Sequence, residues 1–246
     1  MNLVVDIGNT RTKLAFYEKN TLVEKAIMQT SALSWLSGRL DDGRIVEGAI
    51  FSATGRDTEG IEIFLERHLP FIKLEHTTPL PIQNKYATPE TLGKDRLAAV
   101  VAANFLFPKK NCLVIDSGTC ITYNCLDKNG VFIGGNIAPG LTMRLKAMNY
   151  FTAKLPLIER NTEGAMLEIG NTTETAMRAG AQIGLLAEVE GFVKRLETKM
   201  GKFKVIVTGG DGQYLYENLE LKEKYFEPEL VLQGLNQILN YHFQLK

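Results

Sequence analysis

The chain has 246 residues, of which 45% are hydrophobic and 23% are charged, and its 28 basic residues balance its 28 acidic residues. This length and composition predict a globular protein with one large domain or two of ordinary size. A net charge of zero gives no general attraction for nucleic acid or for an anionic membrane, so neither is an expected partner. No apolar run approaches the ~20 residues of a membrane helix, and the start "MNLVVDIG" lacks the basic region of a secretion signal. We therefore expect a cytoplasmic protein.

The first half of the chain reads as strands followed by helices, with one long polar segment. Strands are predicted at 2–6, 13–17, 22–28 and 48–52, and amphipathic helices at 31–40 and 58–68. The segment 75–93 carries Pro79, Pro81 and Pro89 and leads into the helical run "KDRLAAVVAANFLF". Long loops inside compact domains are usually functional or disordered, and we favour a functional loop here.

The second half restarts with the pattern that opens the chain. "LVVDIGNTRTKLAF" at 3–16 and "NCLVIDSGTCITYNCLD" at 111–127 both place an Asp, one residue, a Gly and a Thr between apolar strands. We predict two related halves, 1–108 and 109–246. A third glycine-rich stop, in "VIVTGGDG", again follows an apolar strand. We also predict a helix rich in small residues at 173–196 and a closing helix at 236–245.

The cysteines Cys112, Cys120 and Cys125 lie in these strand-like stretches, and the three histidines show no metal-binding spacing with them. Buried, reduced thiols in a cytosolic protein are the expected outcome.

The residue types at the two hairpin tips suit a nucleotide. Glycine exposes backbone N–H groups to phosphate oxygens, threonine adds hydroxyl donors, and Lys13 or Arg11 supplies positive charge. A carboxylate repels phosphate unless a magnesium ion lies between them, so Asp6 and Asp116 could face each other across a cleft that holds a magnesium nucleotide. The alternative is that each Asp-x-Gly only ends a hairpin, but two copies in matching contexts favour the nucleotide.

The motifs resemble the superfamily of acetate and sugar kinases, heat-shock chaperones and actin, and within it the chain is similar to type III pantothenate kinases. The residues that carry this resemblance run in order through most of the chain: "DIGNTRTK" (6–13), "NKYATPETLGKDR" (84–96), "VIDSGTCITYN" (114–124), "GGNIAPGLTMRLKAM" (134–148) and "TTETAMRAG" (172–180). The resemblance implies an α/β fold of two duplicated ribonuclease-H-like halves, the actin-like ATPase fold, with a nucleotide cleft between them. The implied reaction is ATP-dependent phosphorylation of pantothenate to 4′-phosphopantothenate, the first step of coenzyme A biosynthesis.

The resemblance also implies a role for individual residues. ATP would be bound by Thr119 and by the first hairpin, Asp6, Ile7, Gly8, Asn9, Thr10, Arg11, Thr12 and Lys13. Asp116 would bind the potassium or ammonium ion of the family, in place of the symmetric magnesium arrangement. Pantothenate would be bound by Tyr86, Gly93, Lys94, Asp95, Arg96 and Thr173 (or Thr172), with Asp95 as the general base. The family usually has Ala where this chain has Lys94, and its members are homodimers.

Each of these residues also has a purely structural interpretation. Asp95 suits a helix N-cap, Arg96 a solvated first-turn charge, and Tyr86 a half-buried loop anchor. Two rival functions remain open: an actin-like assembly or regulatory protein that binds ATP without kinase activity, and a kinase for another small alcohol such as a sugar. The loop from Tyr86 to Arg96 favours the pantothenate kinase, since a filament subunit has no evident use for it.

Overall fold

The computed structural model describes residues 1–8, 11–28, 32–53, 59–160 and 167–245. The strands are β1 (Asn2–Ile7), β2 (Thr12–Glu18), β3 (Thr21–Met28), β4 (Gly48–Ala53), β5 (Phe71–Lys73), β6 (Gln83–Asn84), β7 (Cys112–Ser117), β8 (Cys120–Leu126), β9 (Val131–Pro139), β10 (Lys204–Thr208) and β11 (Lys224–Phe226). The helices are α1 (Leu33–Asp41), α2 (Glu59–His68), α3 (Lys94–Leu106), α4 (Leu141–Tyr150), α5 (Thr173–Met200), α6 (Gly212–Asn218) and α7 (Leu230–Gln244).

The predicted strands and helices are confirmed with shifts of their ends, the largest in the last helix, which begins at Leu230 instead of residue 236. The predicted starts of α1 and α2, at Ser31 and Thr58, lie outside the described residues. The segment 75–93 is less irregular than expected, because it contains β6 and a 3₁₀ turn at Pro89–Thr91. The charged stretch 217–229 contains β11. Strands β5 and β9 and helices α4 and α6 were not predicted.

The chain forms two compact units. The first unit contains residues 1–108, 130–132 and 229–246, and the second contains 109–129 and 133–228. The predicted halves, 1–108 and 109–246, differ from this division chiefly in the last helix. Helix α7 packs against α3 in the first unit, where Gly234 contacts the backbone of Ala98. The origin of the halves by duplication remains a prediction.

The first unit is built on a five-stranded sheet of order β3-β2-β1-β4-β5. Strands β1, β2 and β3 are antiparallel neighbours, whereas β1, β4 and β5 run parallel. Alternate residues of β1 face opposite sides, so Leu3, Val5 and Ile7 pack into a core with α1 and α2. The other side carries Asn2, whose amide donates a hydrogen bond to Asn236 Oδ1 of α7 at 2.8 Å. Asp6 therefore lies on the side that α7 covers.

The second unit repeats this plan. Its sheet has six strands, five of which follow the order β9-β8-β7-β10-β11. Among these five, the third, second, first, fourth and fifth strands in chain order are neighbours, as in the first unit. Strand β7 is antiparallel to β8 and parallel to β10. Leu113 and Ile115 of β7 pack into a core with α4 and α5, which leaves Asp116 on the opposite side. Two mixed sheets that share one strand order confirm the predicted α/β architecture.

Candidate active site

The first candidate element is the hairpin between β1 and β2. Asp6 lies near the end of β1 with 8% of its surface exposed, and its register partners are Lys13 on β2 and Ser52 on β4. The N–H of Gly8 donates to the carbonyl oxygen of Arg11 at 3.0 Å, which closes the turn. Asn9 and Thr10, predicted to bind ATP, lie outside the described residues. The turn thus joins two strands on which Asp6 and Lys13 lie in register.

The equivalent hairpin of the second unit is enclosed by two glycines. Gly209 has φ +93°, and a Cβ built there would overlap the Asp116 carboxylate and the backbone of Ser117. A Cβ built on Gly140 would overlap the carbonyl oxygens of Gly118 and Thr119, and the Gly140 N–H donates to Thr119 O at 3.2 Å. Glycine at both positions lets backbone approach the hairpin. The glycine-rich stretch "VIVTGGDG" and the segment 139–141 therefore both pack against the hairpin that carries Asp116.

The two aspartates have different neighbours across the sheet. Asp6 is opposite Lys13, whereas Asp116 is opposite Thr122 on β8 and beside Thr208 on β10. Residues in direct register share a sheet face. Asp116 therefore has threonines as its register partners on both neighbouring strands, whereas Asp6 has a lysine on one of them.

The third element is the start of α3, which holds the candidate base. The N-cap of α3 is Gly93, so Asp95 is not the N-cap but the second residue inside the helix. Asp95 Oδ1 accepts a hydrogen bond from the Arg96 N–H at 2.8 Å. A Cβ on Gly93 would lie 2.5 Å from that oxygen, so any other residue would displace the carboxylate. Lys94, the departure from the family pattern, is the half-buried first residue of the helix.

Arg96 leaves the helix toward two aromatic rings. Its side chain is not a solvated charge, since only 5% of the residue is exposed. The guanidinium carbon lies 5.5 Å from the ring centre of Tyr86 and 6.0 Å from that of Phe132. The two rings are nearly parallel, with their centres 6.1 Å apart and an interplanar angle of 7°. Tyr86 is half-buried, as expected for a loop anchor, and at the same time contacts the arginine that was predicted to bind substrate.

The two candidate threonines before α5 differ in their hydrogen bonding. Thr172 is the N-cap, and its hydroxyl accepts from the Thr175 N–H at 3.2 Å, while Thr175 Oγ1 accepts from the Thr172 N–H at 2.9 Å. Thr173 is exposed, and its hydroxyl has no hydrogen bond to any residue that the structure describes. The geometry therefore favours Thr173 over Thr172 as a residue with a hydroxyl available for substrate.

A partly buried hydrogen-bond network is joined to the second hairpin through Pro139 and Gly140. The hydroxyl of Tyr123, on a fully buried ring, donates to Glu188 Oε1 at 2.8 Å, and Arg144 Nη2 donates to Glu188 Oε2 at 2.6 Å. Burial, followed by the hydrogen bond to Glu188, raises the pKa of Tyr123 well above its usual range. Arg144 Nε also donates to Pro139 O at 2.9 Å, next to the glycine that contacts Thr119. The network connects helices α4 and α5 to the segment that borders the second hairpin.

No group of three or more His, Cys, Asp or Glu side chains that could hold a metal ion occurs among the described residues. Magnesium bound to a nucleotide needs only one or two carboxylates, because phosphate oxygens and water fill its other positions. The cysteines are free thiols, with Cys112 and Cys125 buried and Cys120 half-buried. Single carboxylates on each hairpin therefore fit a cation brought in with phosphate or held by hydroxyl and carbonyl oxygens.

Sequence reasoning located most of these residues but missed three contacts. Tyr86, Gly93 and Arg96 do lie together with Asp95 in the first unit, and Thr119 belongs to the same hairpin as Asp116 in the second. Phe132 was not predicted, because β9 itself was not. The contacts of Gly209 and Gly140 with the second hairpin were also missed, although a glycine pair directly after a buried strand was a visible signal.

Comparison with known proteins gives a consistent result. The family model for type III pantothenate kinases matches residues 2–195. The chain is 42% identical over 243 residues to the type III pantothenate kinase of Bacteroides fragilis, covering 98% of each chain. It is 44% identical over 248 residues to that of Phocaeicola vulgatus, covering 100% of each.

Solved structures resemble the chain in fold. A Campylobacter jejuni protein provisionally assigned to the Baf family of transcriptional activators has a TM-score of 0.65 at 20% identity, covering 98% of this chain and 99% of its own. The Clostridium difficile activator of 2-hydroxyisocaproyl-CoA dehydratase, with bound ADPNP, has a TM-score of 0.55 at 14% identity, covering 100% and 98%. These likenesses confirm the actin-like ATPase fold, and the full-length relatives decide the family: the chain is a member of the type III pantothenate kinases.

Proposed function

We propose that this chain transfers the γ-phosphoryl group of ATP to pantothenate, giving 4′-phosphopantothenate for coenzyme A biosynthesis, with Asp95 as the general base. Identity to the family's members along the whole chain supports the reaction. The single observation that carries the site assignment is the start of α3, where Gly93 leaves room for the Asp95 carboxylate and Arg96 follows on an aromatic support.

Phosphoryl transfer to an alcohol requires positioning and charge neutralisation more than covalent chemistry. A carboxylate within hydrogen-bond reach of the hydroxyl adds about 10²–10⁴-fold by accepting its proton. Asp95 Oδ1 is fixed by the Arg96 N–H at 2.8 Å, which restrains the side chain while its second oxygen can accept the proton of the primary alcohol. Its attachment to the first turn of a helix makes this base rigid rather than loop-borne.

The remaining acceptor contacts follow from the same loop. Pantothenate would be bound by Tyr86, Gly93, Lys94, Arg96 and Thr173, with the Arg96 guanidinium paired with the substrate carboxylate. A guanidinium offers paired donors in the geometry of a carboxylate. The exposed hydroxyl of Thr173 supports its place in this set over Thr172, whose hydroxyl caps α5.

The two hairpins would bind different parts of the nucleotide and different ions. In the first unit, Asp6 and the turn 7–13 would bind magnesium ATP, with Lys13 adjacent to the phosphates. In the second, Thr119 would contact ATP and Asp116 would hold the monovalent cation, potassium or ammonium. The oxygen-rich register around Asp116 supports the cation there, since Thr122 and Thr208 flank it, whereas Lys13 opposite Asp6 disfavours a monovalent cation in the first unit.

A coupled assay of ADP release tests the proposal. With magnesium ATP, wild-type turnover should require both pantothenate and potassium. Asp95→Asn should fold normally and lose at least about 10²-fold in kcat, while Glu90→Gln, the same change at an exposed position of the same loop, should retain wild-type rates. Thr173→Val should raise KM for pantothenate, and Thr172→Ala should instead destabilise α5 by about 1 kcal/mol.

Two outcomes would overturn the proposal. Full activity of Asp95→Asn would remove the base assignment. ADP release that is independent of pantothenate under every cation would remove the reaction, and would direct attention to an ATP-binding assembly or regulatory protein.

The proposal extends to location and assembly. None of the described helices is long and apolar enough to cross a membrane, and three free thiols suit the reducing cytoplasm, where we place the enzyme. We also infer a homodimer. At the end of α4, Tyr150 and Phe151 are 81% and 80% exposed, with ring centres 4.9 Å apart, and Ile169 is 86% exposed. Contiguous exposed apolar side chains mark interaction surfaces, and a second copy would cover the Tyr150–Phe151 pair.

A further inference from the structure

Phe132 occupies a position that the proposed reaction does not by itself explain. It is a fully buried aromatic side chain at the start of β9, and it lies within the first unit. Its ring is parallel to that of Tyr86 within 7°, and the Arg96 guanidinium carbon lies 6.0 Å from its centre. One buried side chain therefore contacts two of the residues proposed to bind pantothenate.

The backbone of Phe132 holds the same loop. Strand β6 pairs in parallel with the start of β9, with Gln83 opposite Val131 and Asn84 opposite Phe132. The Lys85 N–H donates to the carbonyl oxygen of Phe132 at 3.0 Å, and the Tyr86 N–H donates to Asn84 Oδ1 at 3.0 Å. Both the peptide group and the ring of Phe132 thus fix the position of Tyr86.

The ring of Phe132 also affects how Arg96 can act. An arginine has several rotatable bonds, and ordering it for substrate costs conformational entropy at the moment of binding. Attraction between a cation and ring faces orders the guanidinium beforehand, and this attraction is stronger in a desolvated site such as this one, where Arg96 is 5% exposed. The donors of a guanidinium lie in its own plane, so a contact through ring faces need not consume them.

We propose that Phe132 is a positioning residue of the acceptor site, which orders Tyr86 and Arg96 for the carboxylate of pantothenate. This inference rests on the proposed function. It assigns to Phe132 no contact with substrate and no part in the chemical step, so its effect should fall on pantothenate binding and leave the reaction of bound substrate intact.

The test is Phe132→Leu, which keeps an apolar side chain and removes the ring. The variant should raise KM for pantothenate about tenfold, the loss expected for a desolvated cation–ring contact, with kcat and KM for ATP within about twofold of wild type. A second readout uses pantothenol, in which an alcohol replaces the carboxylate. Because Arg96 would recognise the carboxylate, the preference for pantothenate over pantothenol in kcat/KM should fall by a similar factor.

Phe16→Leu is the matched control. Phe16 is also a fully buried aromatic residue of the first unit, with the Arg44 guanidinium carbon 4.9 Å from its ring centre and the Trp35 ring centre at 5.8 Å. This variant loses the same kinds of contact within a different cluster. It should lower the thermal midpoint as much as Phe132→Leu does, but leave KM for pantothenate and the pantothenol ratio unchanged.

The outcomes separate the inference from the reaction. If the wild type shows no pantothenate-dependent turnover, the proposed function fails. If the wild type is active and Phe132→Leu shows an unchanged KM and an unchanged pantothenol ratio, or a shift that Phe16→Leu reproduces, then Phe132 is only a core residue and the inference is overturned. Phe132→Tyr, which keeps the ring, should recover most of the pantothenate affinity that the leucine variant loses, and an affinity as low as that of Phe132→Leu would contradict the role of the ring.

Discussion

The contact between α3 and α7 should make one small substitution strongly destabilising. Gly234 of α7 lies against the backbone of Ala98 on α3. A Cβ at this position would be 3.1 Å from Ala98 Cα and closer still to its carbonyl carbon and oxygen. Carbon atoms in ordinary contact are about 3.5–4.0 Å apart. Backbone atoms cannot rotate out of the way as a side chain can, so Gly234→Ala must push the two helices apart.

The size of the effect follows from two opposing contributions. Overpacking a close-packed interior costs about 1–3 kcal/mol, and backbone against backbone belongs near the upper end. Replacing Gly with Ala inside a helix contributes about 1 kcal/mol in the opposite direction. We therefore expect Gly234→Ala to lower the free energy of unfolding of the first unit by about 2 kcal/mol.

Urea denaturation followed by tryptophan fluorescence measures this change locally. Trp35 is the single tryptophan of the chain and lies on α1, in the first unit. With a urea slope of about 2 kcal/mol per molar, the midpoint should fall by roughly 1 M. Gly38→Ala is the matched control, because Gly38 is an exposed residue of α1 and a Cβ there would meet nothing within 4 Å. The control should raise stability by about 0.5–1 kcal/mol. A Gly234→Ala protein as stable as the wild type would refute the argument.

Two further predictions concern pH and assembly. Burial, opposed by Lys204, raises the pKa of the Cys112 thiol to about 12; the native state keeps a proton that the unfolded chain releases from about pH 9, so stability should fall above that pH by about 1.4 kcal/mol per unit. The urea midpoint of the wild type should fall between pH 9 and pH 10, and this fall should be smaller in Cys112→Ala. A fall of the same size in the variant would exclude the thiol as the cause. Light scattering should give a molecular mass of twice the 27.4 kDa of one chain. In the double variant Tyr150→Ser, Phe151→Ser, the measured mass should shift toward that of one chain. A wild-type mass of one chain at all concentrations would contradict the dimer.

The sequence predicted those parts of the fold and site whose causes are local. Aspartate and glycine between two apolar strands are favoured residues of a hairpin turn, and Asp6 and Asp116 were located correctly on their strands. The structural alternative for Asp95 was wrong, because Gly93 takes the N-cap position and Asp95 lies inside the first turn. An N-cap assignment depends on a boundary of one residue, which propensity does not resolve.

The contacts that could not be predicted depend on pairing between distant segments. Phe132 reaches Tyr86 only because two-residue β6 joins the start of β9 in parallel, and so short a strand has no periodicity to detect. The packing of α7 with residues 1–108 depends on a close approach at Gly234, and an isolated glycine in a helical pattern reads as a mild defect rather than as a contact surface. Likewise, the glycine-rich stop predicted a turn but not its carboxylate neighbour.

The division of the chain between the units affects its synthesis. Residues 229–246 complete the first unit, yet a ribosome makes them only after it has made all of the second unit. Multidomain chains generally fold from the N-terminus as they emerge. Here, the first 108 residues emerge early but lack the helix that covers one side of their sheet, whereas nearly all of the second unit comes from one continuous stretch. The later-made unit can therefore reach its native state first, while the earlier-made one waits with an exposed apolar surface that chaperones would recognise.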